Sequence, residues 1–316
     1  MFIGSCNGVF RALELRTGRV RWETKVSPDA VQYFFHGDPY VAGDVIVAGA
    51  DRATGASIHA FETSTGKELW RHPAGRGVNG PITGSGKHAY AITVEGRLLS
   101  FALDPGTVSW EVPLKGPGFE GPAVADRVMA GSVDGVLYGL NAQTGREDWR
   151  RDLGSAVTTT PVASGADVYV GTADGSVHRV SVRDGIVLGS RRLDTTLKPS
   201  SVPVPTTDSL LVLLTDQAAD YRALVSVDPS LNGVRWRATA ETNWTTSRVF
   251  LWGDVIVLGT SNGDVLSYCK ETGARSWTRS VKGPVRSIGG AADTLLVGTR
   301  TGGLYALTAP RTCVAK

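Results

Sequence analysis

Met129-Ala130-Gly131-Ser132-Val133-Asp134-Gly135-Val136-Leu137-Tyr138-Gly139-Leu140-Asn141-Ala142-Gln143-Thr144-Gly145-Arg146-Glu147-Asp148-Trp149 decides the fold. It reads as strand, turn, strand, turn, strand. Asp134-Gly135 between two apolar runs is a strong hairpin signal, and the reading assigns it a type I′ turn with positive φ at two positions. Thr144-Gly145 makes a second turn, and a tryptophan follows its glycine after four residues. The same spacing links Gly18 to Trp22, Gly66 to Trp70, Gly106 to Trp110 and Gly273 to Trp277, with a gap of three from Gly233 to Trp236. Asp184-Gly185 is a further copy in which Gly189 replaces the tryptophan. Successive turn glycines lie 48, 40, 39, 40, 48 and 40 residues apart, a period of about forty that marks a repeat architecture.

Each period holds four short strands, A to D. Strand A begins near a proline, at Pro39, Pro81, Pro122, Pro161 and Pro203. A four-stranded sheet cannot bury both faces alone, whereas radial packing buries each sheet against its neighbours. The expected fold is therefore all-β, an eight-bladed β-propeller of four-stranded antiparallel blades in one domain over residues 1–316. The register starts Met1 in strand B of the first blade and ends the chain after strand C of the eighth, so both end blades are incomplete. This register implies first-blade residues upstream of Met1, and a seven-bladed ring with a surplus hairpin is the alternative. The tryptophans are read as wedges between blades, with a weaker seam at Gly189.

Composition agrees. The chain has 41% apolar and 20% charged residues, as a globular core requires, and 39 glycines, far above the usual share of roughly 7%. Thirty-three basic residues face thirty acidic ones, for a net charge of +3, and no basic stripe suits a phosphate backbone. Nucleic acid is not an expected partner. No apolar run reaches the ~18 residues of a membrane span. Cys6, Cys269 and Cys313 lack C-x-x-C spacing, so neither a metal knuckle nor a disulfide framework is expected. The first residues show no signal peptide.

The spacing Ala-x-Asp-x-x-Thr-Gly-x-x-x-Trp resembles the repeat of the PQQ-like propellers. Ala12 to Gly18 with Trp22, Ala60 to Gly66 with Trp70, and Gly139 to Gly145 with Trp149 carry the likeness. The aspartate position is degenerate, being Glu14, Glu62, Asn141, Ser181, Cys269 or Thr308. That superfamily holds quinoprotein dehydrogenases and the BamB-type lipoproteins of outer-membrane assembly. The resemblance implies a shared fold and a periplasmic or other extracytoplasmic location. Many of the dehydrogenases use a vicinal cysteine pair and an acid and amide set for calcium. No cysteines adjoin here, so the non-enzymatic BamB-type branch is expected, with no cofactor.

Residues entering the A strands should converge on a channel mouth. They are His36 and Asp38; Asn79; Glu120; Thr158 and Thr159; Ser200 and Ser201; Thr245 and Thr246; Arg286 and Ser287; with Trp244 in a crossover. The candidate ligand-binding set is His36, Asp38, Asn79, Glu120, Thr159, Ser201, Trp244, Thr246 and Arg286, because convergent polar groups in a concavity are where ligands bind. The plainer account is that inner strands beside a wet channel are polar anyway. His36 lies two residues from Asp38, so the pair suits one face of a strand. The B–C hairpins carry Asp51, Glu95, Asp134, Asp174, Asp216 and Asp220. The C–D turns and D strands carry Arg16, Arg19, Arg21, Lys67, Arg146, Arg150, Arg183, Arg235 and Arg275. This pattern sets an acidic mouth face against a basic opposite face.

No catalytic constellation emerges. The expected function is a monomeric scaffold binding a protein or peptide through one face, either BamB-like or as the sensor domain of a longer chain. The alternative is a small quinoprotein-like oxidoreductase with PQQ and calcium near Glu120, Asn79 and Asp38.

Overall fold

The computed structural model describes residues 1–5, 7–26, 33–52, 55–118, 120–216, 222–239, 244, 248–291 and 293–314. Among them there is no helix, hence none long and apolar enough to cross a membrane, and the strands form eight antiparallel sheets. Sheet 1 holds Phe2–Gly4, Val9–Leu13 and Val20–Lys25. Sheet 2 holds Tyr40–Ala42, Val45–Arg52, Gly55–Glu62 and Glu68–Pro73. Sheet 3 follows with Thr83–Ser85, His88–Ile92, Arg97–Ala102 and Val108–Pro113, and sheet 4 with Ala123–Val124, Arg127–Gly131, Val136–Asn141 and Glu147–Asp152. Sheet 5 comprises Val162–Ser164, Asp167–Gly171, Ser176–Ser181 and Val187–Arg192. In sheet 6 the first strand is split into Lys198–Pro199 and Val204–Pro205, ahead of Leu210–Thr215, Arg222–Val227 and Val234–Thr239. Sheet 7 is Phe250–Trp252, Val255–Gly259, Asp264–Cys269 and Arg275–Ser280; sheet 8 is Val285–Ala291, Thr294–Thr299 and Leu304–Leu307.

This is the eight-bladed β-propeller fold. Among the described residues, sheets 1 and 8 have three strands each, sheet 1 those in the B, C and D positions and sheet 8 those in the A, B and C positions. By internal contacts the chain divides into two compact units, residues 1–168 with 180–187 and residues 169–179 with 188–316.

Burial follows strand position. The B and C strands are buried on both faces, as in Val128 to Gly131 and Val136 to Leu140, because a neighbouring sheet covers each side. The D strands alternate exposed and buried residues, as a strand with one dry face must. In the first unit, Val47 and Ile58 of sheet 2 pack with Leu99 and Phe101 of sheet 3 in one apolar cluster. Tyr90 and Leu98 of sheet 3 pack with Val128 and Leu140 of sheet 4 in another. In the second unit, Leu211 and Leu224 of sheet 6 pack with Ile256 and Leu266 of sheet 7.

The tryptophan register explains the repeat. Each indole lies opposite a small residue of strand C: Trp22 on Ala12, Trp70 on Ala60, Trp110 on Ser100, Trp149 on Gly139 and Trp236 on Ser226. The ring then crosses to the next sheet and lies against its turn glycine. A Cβ at Gly66, Gly106, Gly145, Gly185 or Gly273 would fall under 3.0 Å from the ring of Trp22, Trp70, Trp110, Trp149 or Trp236 respectively. Each indole Nε1 donates to the carbonyl three residues before that glycine, at 2.9–3.0 Å, namely Thr63, Leu103, Ala142, Val182 and Lys270.

Where Gly189 replaces the tryptophan, the seam changes chemistry. Arg179 stands at the small-residue position, and Arg191 donates to the carbonyls of Leu231 (2.8 Å) and Asn232. Leu231 takes a positive φ of 64° beside Gly189. Indole packing is replaced by guanidinium hydrogen bonds.

Two expectations are corrected. Gly135, Gly175 and Gly263 have positive φ, but Asp134, Asp174 and Asn262 do not. Gly135 N donates to Ser132 O and Ser132 N to Val136 O, so the hairpin is a three-residue loop closing on a glycine bulge, not a type I′ turn. Cys269 and Cys313 form a disulfide across 44 residues, which the spacing of the cysteines did not suggest. Closing a loop of that length removes about 4 kcal/mol of unfolded-chain entropy in the chain-entropy account. Cys6 lies outside the described residues.

Gly18 and Gly145 offer a matched comparison. Both have φ of +70°, but no atom lies within 4 Å of a Cβ built at Gly18, whereas one at Gly145 meets Trp110 at 2.7 Å. Gly18→Ala should cost only the left-handed backbone penalty of about 1–2 kcal/mol. Gly145→Ala should cost about 1–3 kcal/mol more from overpacking, read from urea denaturation midpoints.

Candidate functional site

In the first unit, glycines set the A-strand entries of successive sheets against one another. The entries read His36-Gly37-Asp38-Pro39, Asn79-Gly80-Pro81, Glu120-Gly121-Pro122 and Thr159-Thr160-Pro161. A Cβ at Gly37 would collide with Gly80 O, one at Gly80 with Gly121 N, and one at Gly121 with Pro81 O. None of these glycines has a positive φ; close backbone approach is what they provide. Ile82 N donates to Asp38 O (3.0 Å), and Gly121 N donates to Thr160 Oγ1 (3.2 Å).

The polar side chains follow from this relay. Glu120 is half-buried, and its Oε2 accepts from Thr160 N (3.2 Å) and Thr160 Oγ1 (2.9 Å). Thr160 occupies the glycine position of its entry, and its hydroxyl reaches back to the preceding sheet. Sequence reading named Thr158 and Thr159 and missed Thr160; aligning the entries on their prolines would have found it. Thr159 is fully buried, while His36, Asp38 and Asn79 are exposed.

His36 stacks on Phe34 and has Asp51 as a carboxylate neighbour, Nε2 to Oδ2 at 4.0 Å. Asp51 is buried, and its Oδ1 accepts from Val78 N (2.7 Å). Burial raises its pKa, partly offset by the Val78 hydrogen bond and by His36.

In the second unit the same reading holds less well. Trp244 is corrected: it is fully buried, edge-on to Tyr268 at 5.6 Å, and belongs to the apolar core with Leu211 and Ile256. It presents no ring to a ligand. Ser201 is buried with its hydroxyl directed to Val202 O (3.4 Å). Arg286 is exposed on the first strand of sheet 8. Thr245 and Thr246 lie outside the described residues.

The two-faced charge pattern is weaker than the sequence implies. Asp51 is buried, and Asp174 is spent on its own hairpin, bonding Thr172 and Ser176. On the D strands Arg150 pairs with Glu147 (2.6 Å) and Arg146 with Asp148 (3.1 Å). Asp220 lies outside the described residues.

A buried histidine escaped sequence reading because its partner sits across a strand pair. His59 is fully buried in sheet 2, ringed by Tyr33, Phe35 and Phe61, with Nδ1 2.6 Å from Glu68 Oε1. Arg71 completes the group, bonding both Glu68 and Val26 O. Burial holds the His59 pKa below 6.5, opposed by Glu68. Burial works against the Glu68 charge, but hydrogen bonds from His59 and Arg71 outweigh it and hold the group down to about 2.

The family described as "Outer membrane protein assembly factor BamB" matches residues 6–118, 54–201 and 101–310. The protein of that name from Legionella pneumophila (strain Paris) is 29% identical over 190 residues, covering 58% of this chain and 48% of that protein. The one from Burkholderia pseudomallei (strain K96243) is 24% identical over a 336-residue alignment, covering 96% of this chain and 81% of that protein. The chain thus spans about half of the first relative and four-fifths of the second. Among solved structures, BamB from Moraxella catarrhalis superposes with a TM-score of 0.80 at 18% identity, covering 98% of this chain and 93% of that one.

His59, His72 and His178 all have pKa values lowered mainly by burial. Unfolded, each imidazole takes a proton near 6.5, so the unfolded chain binds more protons below that pH. Their stability contribution is full above about 6.5 and is lost as pH falls. Glu68 acts lower, its contribution present above about 4.5 and lost toward about 2. Unfolding free energy should therefore drop from pH 7 to 5. His59→Gln should flatten that slope by up to about 1.4 kcal/mol per pH unit in urea titrations at constant ionic strength.

Proposed function

Because the chain belongs to the BamB family of outer membrane protein assembly factors, we propose that it is a monomeric, non-enzymatic scaffold of an extracytoplasmic envelope assembly. It holds a protein or peptide partner against the A-strand entries of sheets 2 to 5. The observation that carries this reading is the glycine relay from Gly37 through Gly80 to Gly121. It brings the backbone of the entries that carry His36, Asp38, Asn79 and Glu120 into close approach, and a rigid surface binds without paying much ordering entropy. The disulfide supports an oxidising compartment.

The scaffold works without PQQ or calcium. Among the described residues, no three His, Cys, Asp or Glu side chains are grouped to hold a metal ion. Glu120 Oε2 is engaged by two donors from Thr160. Trp244, the aromatic of the candidate set, is inside the core and offers no ring for a quinone to stack on. The cysteine pair is 44 residues apart and not vicinal. These residues do not fit the cofactor.

Photo-crosslinking side chains placed at Asn79 and Glu120 should capture the same envelope protein, while one at Arg146, on the opposite end of a sheet, should not. Equal capture from all three positions would remove the proposed face. Adding PQQ with calcium should leave the melting temperature unchanged and support no dye reduction; a cofactor-dependent rise with turnover would overturn the scaffold reading.

A further inference from the structure

Sheet 8 ends at Leu307 without a fourth strand, and the chain after it turns to sheet 7. There it copies a turn it does not otherwise complete. Trp277 Nε1 donates to Pro310 O (3.1 Å), and Pro310 lies three residues before Cys313. Every other repeat indole bonds the carbonyl three residues before a turn glycine; counted from Pro310 that place falls to Cys313, and counted from Thr308 in the repeat register it falls one residue earlier, to Thr312. Elsewhere the glycine leads into a D strand whose ladder secures it. Among the described residues after Cys313 there is no such strand. The tail's other attachments include Trp252 Nε1 to Ala309 O (3.1 Å), Asp254 N to Arg311 O (2.7 Å), the Arg311 guanidinium 4.8 Å over the Trp252 ring and 3.6 Å from Asp293 Oδ1, Val314 N to Ser276 Oγ (3.0 Å) and Ser276 Oγ to Val314 O (3.3 Å). The disulfide to Cys269 is the covalent link among these contacts.

The two cysteines differ in exposure. Cys269 is 1% exposed on the C strand of sheet 7, whereas Cys313 lies on an exposed run of tail. We propose that Cys269–Cys313 is a thiol-exchange site, attacked by external thiols at Cys313, and that its reduction releases the tail from the end of sheet 7. The attacking thiolate forms a mixed disulfide with Cys313, and the electron pair of the broken S–S bond leaves on Cys269 Sγ. That sulfur takes a proton from water and remains as a buried neutral thiol, the form its apolar surroundings favour. A second thiolate then attacks the sulfur of the external thiol in the mixed disulfide. It releases Cys313 as a thiol and leaves two external thiols joined as their disulfide. Release frees the indole N–H groups of Trp252 and Trp277 and the backbone N–H of Asp254.

The test uses the full chain carrying Cys6→Ser, so that only this pair reacts. Native protein is incubated with reduced glutathione and the adduct located by peptide mass. The expected adduct is on Cys313. In parallel, hydrogen exchange is compared between the oxidised and dithiothreitol-reduced forms. The Asp254 amide and residues 309–314 should exchange about ten-fold faster or more after reduction, with sheets 2 to 4 unchanged. An adduct on Cys269, unchanged exchange at Asp254, or faster exchange throughout the chain would each overturn the proposal. Should Cys6→Ser fail to fold, the same mapping on the wild-type chain follows Cys6 as a separate peptide.

Discussion

An indole laid flat on a glycine of the next sheet is the contact on which this structure depends. It needs three residue types at once. A small residue on strand C lets the tryptophan lie across its own sheet; a glycine without Cβ lets the ring touch the next turn; and a carbonyl three residues earlier takes the Nε1 proton. Leaving that N–H unpaired after burial would cost on the order of 1–3 kcal/mol. The glycine has a second duty, since its φ of about +70° closes the turn with a hydrogen bond to the carbonyl four residues back, as in Gly145 N to Asn141 O. One residue therefore serves local turn geometry and packing between sheets.

The exceptions support this account because they change together. Sheet 5 loses its tryptophan to Gly189, and the small residue opposite becomes Arg179. The turn glycine of sheet 6, Gly233, then has nothing within 4 Å of its Cβ direction, and its φ is no longer positive. Asp228 at the start of that turn has its pKa lowered by Ser230 hydrogen bonds and by the nearby charges of Arg235 and Arg179. A seam built on ring packing has been replaced by one built on guanidinium groups, with every member of the triad altered.

The sheets were legible in sequence because they depend on periodic features. Glycine, tryptophan and the apolar pairs before them recur at fixed intervals, and even the three-stranded ends could be counted. The candidate site obeys no such period. Asn79, Glu120 and Thr159 were placed by counting back from prolines, which located the strand entries but not the side-chain directions. Thr159 is fully buried, and its neighbour Thr160 bonds Glu120. Trp244 looked like a ligand-facing aromatic because it broke the repeat; burial among Leu211, Ile256 and Tyr268 shows that an irregular position in sequence can still be core. His59 with Glu68, and Cys269 with Cys313, are pairs made by strand adjacency or by a returning tail, which spacing does not encode.

Glycine acts at both ends of these sheets, under the indoles at the C–D turns and in the relay of Gly37, Gly80 and Gly121 at the A-strand entries. Sheets pinned at two places have little freedom to slide, so the residues flanking the relay can vary without loss of the fold. Such pinning suits a fold shared with a solved structure at 18% identity and a TM-score of 0.80. It also bears on what the shared fold implies. The constraints that preserve the sheets fall on glycines, tryptophans and their small partners. Under the proposed function, recognition falls to the strand entries that carry His36, Asp38, Asn79 and Glu120.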